Sequence, residues 1–259
     1  MPQDPEIHIF PDSQKLARAA AERFLDVGLQ AIAERKRFLV ALSGGSTPKT
    51  LYSILTSEEY AQQLDGSSVH FLSGDEGKVP PSYVASNFAM ADAMLFRPLH
   101  ISPAHIHRIH GEESPDTAAA QYEDTLRRLT AVGTAQWPQL DLILLGMGDD
   151  GHTASLFPGT TALAEQTRWV VPGTSPQGTR ARMTLTLGVI NHASVILFLV
   201  TGLNKATVVR RILEPRLGDP NPYPAALVRP ETGRLLWYLD RAAASELAAA
   251  THDLSSREA

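Results

Sequence analysis

The sequence predicts an α/β protein built on a doubly wound, mostly parallel sheet with helices on both faces. Three observations predict it. Short unbroken apolar runs, Phe38–Leu42, Leu142–Leu145 and Val195–Val200, read as strands buried on both sides. Helical patterns of apolar residues alternate with these runs, as in successive β-α-β units. Finally, several of the runs end in glycine-containing turns that carry polar residues, where such folds place their ligands.

The 259 residues suffice for one large α/β domain, expected over 1–250, with a polar tail over 251–259. The formal charge of −5 argues against broad binding to nucleic acid or anionic membrane, so an anionic ligand needs a local positive site. With no cysteine, disulfides, thiolate metal sites and a cysteine nucleophile are excluded. That absence suits a reducing compartment. The start of the chain lacks the basic and apolar segments of a signal peptide, and no apolar run reaches membrane-spanning length. A cytoplasmic protein is expected, monomeric or a small homo-oligomer.

Residues 7–10 form the first strand candidate. Ser13 is placed to cap a helix whose apolar positions include Leu16, Ala20, Phe24, Val27 and Ala31. Arg35, Lys36 and Arg37 suit its C-terminal end. After the Phe38–Leu42 strand comes Ser43-Gly44-Gly45-Ser46-Thr47-Pro48-Lys49. Thr47 reads as an N-cap and Pro48 as the first helical residue. Backbone N–H groups, the helix dipole and two hydroxyls make this turn an anion cradle suited to phosphate. It lacks the Gly-Lys-Ser/Thr ending of an ATP-binding loop.

Residues 69–72 give the next strand, which leads into Ser73-Gly74-Asp75-Glu76-Gly77-Lys78. Flanking glycines predict that the acidic pair is exposed on a turn. Ser86 and Asn87 open a helix to Leu95, residues 105–109 form a possible strand, and 115–131 form an amphipathic helix.

The most informative stretch follows Leu145: Gly146-Met-Gly148-Asp149-Asp150-Gly151-His152. Carboxylates and an imidazole at the end of a buried strand point to acid–base chemistry. The glycines also satisfy Gly-x-Gly-x-x-Gly. A pyrophosphate is disfavoured there, because two aspartates would repel it and Pro158 cuts the following helix short. A simple capping turn with a surface histidine is the competing structural reading, and the glycines after a buried strand favour the chemical one.

Beyond Pro158, residues 168–171 read as a strand and 172–179 as a loop. The alternating stretch from Arg182 reads as a half-buried strand, with Arg180 and Arg182 able to reach an anion. Val195–Val200 ends in Thr201-Gly202-Leu203-Asn204-Lys205, a further strand-to-helix turn whose lysine suits phosphate or carboxylate. Residues 234–239 form the last strand, followed by an alanine-rich helix over 241–250.

Together these stretches resemble the 6-phosphogluconolactonase family over nearly the whole chain. Leu42-Ser-Gly-Gly-Ser-Thr-Pro48 is similar to its phosphate loop, and Gly146 to Gly159 to its active-site motif. Arg182, Thr184, Thr186, Thr201, Gly202 and Lys205 are similar to its downstream motifs, and Val79-Pro80 and Ser86-Asn87 to the segment after its acidic turn. The resemblance implies hydrolysis of 6-phospho-D-glucono-1,5-lactone in the pentose phosphate pathway. The substrate is then a small phosphorylated sugar lactone, and neither metal nor organic cofactor is expected.

His152 is expected as the general base and Asp150 as its orienting partner. Ser43, Gly44, Gly45, Ser46, Thr47, Asp75, Lys78, Gly148, Arg182 and Lys205 are the expected substrate and phosphate contacts, with Lys78 or backbone N–H groups stabilising the oxyanion. The related glucosamine-6-phosphate deaminases continue past their histidine with Phe-Asn-Glu-Pro. This chain has Ser155-Leu156-Phe157-Pro158, which favours the lactonase over a deaminase or isomerase. One departure stands out: the family's usual Asp-Glu-Arg is Asp75-Glu76-Gly77 here. That loss makes a non-catalytic sugar-phosphate sensor a further alternative.

Overall fold

The computed structural model describes residues 4–63, 65–133, 136–175, 181–215 and 223–248. Its strands are β1 (Glu6–Phe10), β2 (Phe38–Leu42), β3 (Val69–Ser73), β4 (Asp75–Gly77), β5 (Ile106–His107), β6 (Leu142–Leu145), β7 (Val170–Thr174), β8 (Ala181–Leu185), β9 (Val195–Val200) and β10 (Arg234–Asp240). Its α-helices are α1 (Ser13–Arg35), α2 (Ser46–Leu55), α3 (Asn87–Ala91), α4 (Pro115–Thr130), α5 (Leu187–Asn191) and α6 (Ala206–Leu213).

Seven strands form a parallel sheet in the order β1-β10-β9-β6-β2-β3-β5. After β2 the chain winds outward through β3 and β5. It then returns to β6 on the other side of β2 and winds outward again through β9 and β10. The winding direction thus reverses between β2 and β6, which opens a crevice beyond their C-terminal ends.

Alternation along the central strands divides the core between two faces. Phe38, Val40, Leu42, Leu142, Leu144, Leu197 and Leu199 face one side, where they pack with Leu16, Phe24, Leu51 and Tyr52 from α1 and α2. Leu39, Ala41, Ile143, Leu145, Ile196 and Phe198 face the other, with Tyr122 and Leu126 of α4 and Val208 and Val209 of α6. The expected doubly wound α/β architecture is therefore present.

A second, three-stranded antiparallel sheet, β4-β8-β7, covers part of the second face. The sequence predicted strands near β7 and β8, but neither β4 nor their pairing. Its strand β4 is the segment expected to be an exposed acidic turn. Asp75 and Glu76 are instead 5% and 2% exposed. Two flanking glycines suggested a turn, but backbone pairing of 75–77 with 182–184 prevails.

Other local expectations are corrected by hydrogen bonding. Asp12 caps α1, accepting from the N–H groups of Gln14 and Lys15, and Ser13 is the first helical residue. Gly45 is the N-cap of α2, at φ 106°, so Thr47 and Pro48 lie within the first turn. Of the loop expected over 172–179, Pro172, Gly173 and Thr174 instead extend β7, and 176–179 lie outside the described residues. The strand expected over 105–109 contracts to the two residues of β5. Residues 241–246 form hydrogen-bonded turns, not a helix, and the Asp240 carboxylate fixes them through the Ala243 N–H at 2.7 Å. Residues 249–259, which include the expected tail, and Arg180 lie outside the described residues. Among the described residues no helix is long and apolar enough to cross a membrane.

Candidate active site

The crevice at the reversal point is a cleft of about 650 Å³. Segments following β2, β6 and β9 line it, with contributions from β4, α3 and β8. Ser43, Gly44, Gly45, Ser46, Thr47, Asp75, Gly148, His152, Arg182 and Lys205 all line this cleft. Ten residues spread over more than 160 positions of sequence are thus brought to one place by the parallel strands.

The turn after β2 is held from below. The Tyr52 hydroxyl donates to the Ser43 carbonyl at 2.8 Å and lies 3.2 Å from the Ser43 N–H, which donates to it. Burial pushes the Tyr52 phenol well above its ordinary pKa, so it remains a neutral donor. No side chain caps α2, whose N-terminal N–H groups are consequently left for a ligand. Thr47 does not cap the helix. Its hydroxyl instead meets that of Thr201 at 2.9 Å, tying the β2 turn to the β9 turn.

The turn after β6 closes on itself. Gly148 N–H donates to the His152 carbonyl at 2.9 Å, and Gly151 N–H to that of Gly148 at 3.0 Å. Gly151 sits at φ 74°, where glycine is favoured. This closure brings the His152 ring against the Asp150 carboxylate, with Nδ1 2.6 Å from Oδ1. The same oxygen accepts the His152 backbone N–H at 3.1 Å. Partial burial works against the Asp150 charge. The two His152 hydrogen bonds more than offset it, and the carboxyl lies below its ordinary pKa. As a carboxylate Asp150 can only accept, so Nδ1 carries a proton and Nε2 is left to take one. Phe157 packs against the imidazole with ring centroids 4.5 Å apart.

Asp75 and Arg182 form the floor. Arg182 Nη2 donates to Asp75 Oδ2 at 2.6 Å, and Ser155 links the two through its hydroxyl. Burial opposes the Arg182 charge, but Asp75 overcomes that cost and holds the guanidinium above its ordinary pKa. Asn87 Nδ2 donates to the Asp75 carbonyl and to Oδ1, both at 3.0 Å. Its side chain occupies the space beside Gly44, where a Cβ would lie 1.9 Å from Asn87 Oδ1.

Glu76 does not enter the cleft. Its carboxylate accepts from the N–H groups of Gly77, Asn87 and Phe88 and from the Ser86 hydroxyl, anchoring the start of α3. Lys78 is the one expected contact that is not brought to the site. It is exposed, outside the cleft lining, and its backbone N–H pairs with Ala181. Strand pairing of β4 with β8 directs the chain away after Gly77. Sequence reasoning missed Asn87, Ser155 and Phe157 as lining or supporting groups. Ser155 and Phe157 lie within three and five residues of His152, and Asn87 follows the capping serine Ser86, so their motifs were visible and their direction was not.

On the rim, Asp149 accepts hydrogen bonds from Lys205 Nζ and, at 2.9 Å, from Asn204 Nδ2. The Lys205 bond, chiefly, holds the Asp149 carboxyl below its ordinary pKa. Among the described residues, no group of three or more histidine, aspartate or glutamate side chains is arranged to hold a metal ion.

Comparison with known proteins identifies the family and the fold. Residues 11–237 match the family described as glucosamine-6-phosphate isomerases/6-phosphogluconolactonase. A 6-phosphogluconolactonase of Nostoc is 37% identical over 93% of this chain and 98% of its own. One from Haemophilus influenzae is 38% identical over 79% of this chain and 85% of its own. The solved 6-phosphogluconolactonase of Trypanosoma cruzi superposes with a TM-score of 0.86 at 29% identity, covering 96% of this chain and 99% of that one. A monomeric glucosamine-6-phosphate deaminase, 21% identical with a TM-score of 0.74, shares the fold. The chain therefore belongs to the glucosamine-6-phosphate isomerase/6-phosphogluconolactonase family.

Proposed function

We propose that this protein hydrolyses 6-phospho-D-glucono-1,5-lactone to 6-phosphogluconate, in the oxidative pentose phosphate pathway. The observation that carries this reading is His152, oriented by Asp150 with Nε2 left as acceptor, lining the same cleft as the uncapped start of α2. The relatives that bear the lactonase name support it.

The phosphoryl group binds at the Gly44–Thr47 turn, where helix N–H groups and Lys205 meet its charge. His152 Nε2 takes a proton from water as its oxygen attacks the lactone carbonyl carbon. Asp150 holds the ring and offsets the imidazolium charge that forms. The tetrahedral oxyanion then collapses, the ring C–O bond breaks, and the departing ring oxygen takes the proton back from His152. Arg182 commits Nε and Nη2 to Ser155 and Asp75, which leaves Nη1 to polarise the carbonyl or hold the sugar. Lys78 has no part, since it stands outside the cleft.

The test is hydrolysis of freshly generated 6-phosphogluconolactone, with the spontaneous rate subtracted and His152→Ala run beside the wild type. A rate above background that the variant loses supports the reading. Ammonia release from glucosamine 6-phosphate would assign the protein to the deaminases instead, and sugar-phosphate binding without turnover of either would make it a sensor.

A further inference from the structure

The cations of the cleft are held in two different ways. Arg182 and Lys205 are the Lys and Arg residues among its described lining residues. Each meets a carboxylate. The Arg182–Asp75 pair is deep, with side chains 22% and 6% exposed, and Ser155 and Asn87 brace it. Removing either partner strands a buried charge, so this pair is a fixed part of the floor. The Lys205–Asp149 pair is built differently. The lysine side chain is 19% exposed, while that of Asp149 is 67% exposed on the rim. Such pairs are weak, because water screens the outer partner.

Nor does the turn depend on this contact. Its closure comes from the Gly148–His152 and Gly151–Gly148 backbone bonds. The Asp149 carboxylate is bound by Lys205 and Asn204, both from the turn after β9, while Asp150 keeps its own bond to His152. The lysine end is anchored. The Asp240 carboxylate accepts the Gly202 N–H at 3.0 and 3.1 Å, and Thr201 is tied to Thr47. A largely buried cation on a braced turn beside an anion cradle therefore faces a carboxylate that lies mostly in solvent.

We propose that Asp149 is a displaceable counterion for Lys205, which a phosphoryl dianion must exchange for itself, and which thereby sets the threshold for ligand entry. This deepens the lactonase reading and rests on the cradle being a phosphate site. A dianion brings more charge than Asp149 and can also engage the N–H groups at the start of α2, so the exchange favours it. An unphosphorylated sugar has neither means, and Lys205 stays with Asp149. The residue thus helps the site to distinguish phosphorylated from unphosphorylated lactones.

Asp149→Asn keeps the shape and an acceptor oxygen for Asn204 and removes the charge. Affinity for 6-phosphogluconate and for inorganic phosphate is measured by calorimetry at low and high salt. The wild type, Asp149→Asn, Lys205→Met and the double variant are compared. Asp149→Asn should tighten binding roughly fivefold, as expected for loss of an exposed competing charge. The gain should shrink with salt and vanish in the Lys205→Met background. Unchanged or weaker binding in Asp149→Asn would overturn the proposal and make Asp149 an orienting partner of Lys205. A gain of equal size without Lys205 would overturn it too, as a general effect of net charge. Lactone turnover by the wild type is measured separately. Binding without turnover would remove the lactonase reading and leave the counterion standing. Turnover with no tightening in Asp149→Asn would remove the counterion alone.

Discussion

Asp150 and His152 are two residues apart, and their side chains meet at 2.6 Å across a turn that only Gly148 leaves open. A Cβ at position 148 would lie 2.1 Å from His152 Nδ1 and 2.6 Å from Asp150 Oδ1. Gly148→Ala should therefore drive the ring off its carboxylate. Turnover is expected to fall by about tenfold or more, since a displaced base loses both orientation and charge support. Steady-state kinetics beside thermal unfolding checks this, and unchanged turnover in a folded variant would show that the pair is not needed.

Removing the imidazole is the stronger change. His152→Ala should lower kcat by roughly 10²–10⁴-fold with little change in KM, as loss of a general base does. Asp150→Asn keeps the shape and removes the charge that offsets the imidazolium, so a smaller loss is expected. If Asp150→Asn costs as much as His152→Ala, the carboxylate has a further role in the reaction itself.

The doubly wound sheet was legible because its central strands are buried on both faces and lack polar interruptions. The same feature made the cradle and the His152 turn visible, since each follows such a run. Of the antiparallel sheet, β7 and β8 were legible as strands, but β4 and the pairing of the three were not. Asp75 and Glu76 look like solvated turn residues until their partners are known. Arg182 and Asn87, partners of Asp75, lie 107 and 12 residues away, and Glu76 is held by Ser86, Asn87 and Phe88. Lys78 failed for a related reason: adjacency in sequence to the acidic pair says nothing of direction, and a strand edge carries the lysine out to solvent. Thr47 looked like a cap because a hydroxyl preceded a proline. Gly45 in the left-handed region moved the helix start, and the hydroxyl found Thr201.

The floor pair predicts a stability effect that a surface anion-binding arginine would not show. Arg182→Ala leaves Asp75 buried against Ser155, and the expected loss is about 3–5 kcal/mol. Denaturant unfolding reads it. Kinetics with phosphorylated and unphosphorylated lactones then separates two roles. Equal losses with both substrates would place Arg182 at the sugar or carbonyl and remove it from the phosphate.

Acid should destabilise the fold through a histidine stack away from the cleft. His70 Nδ1 lies 3.0 Å from His107 Nε2, the His105 ring stacks on His70, and the His105 Nδ1 meets the Val69 carbonyl. Burial, then His70, His105 and Arg128, lower His107 from 6.5 to about 4. Burial, His105 and Arg37 lower His70 as well. The unfolded chain therefore takes up protons first as pH falls below 6.5, and stability is lost between there and about 4. For the half-buried His107 this amounts to ~1–2 kcal/mol after allowance for solvent screening. His107→Gln should flatten the fall in denaturation midpoint over that window, and an unchanged slope would sink the assignment.

Gly77 stands where the resemblance to the 6-phosphogluconolactonase family implies an arginine, and its surroundings define what an arginine there would do. It pairs with Arg182 across β4 and β8, so a side chain at 77 would start on the face that Arg182 shares. A Cβ would stand 3.5 Å from Arg182 Nη1 and 3.7 Å from Val79 Cγ2, ordinary contact distances. The backbone at 77 is not in the left-handed region, so an L-residue is not strained there. Gly77→Arg should therefore fold, at a cost of about 0.5–3 kcal/mol, because position 77 is buried beside the Arg182 guanidinium and the Asp75 and Glu76 carboxylates are already engaged by other partners. We expect kcat/KM for the lactone to rise by roughly tenfold, as one further charge-assisted contact to the substrate would give. Gly77→Lys should recover less, since an ammonium cannot present a planar fork. A folded Gly77→Arg protein with unchanged kcat/KM would mean that Arg182 alone supplies the cationic contact this chemistry needs.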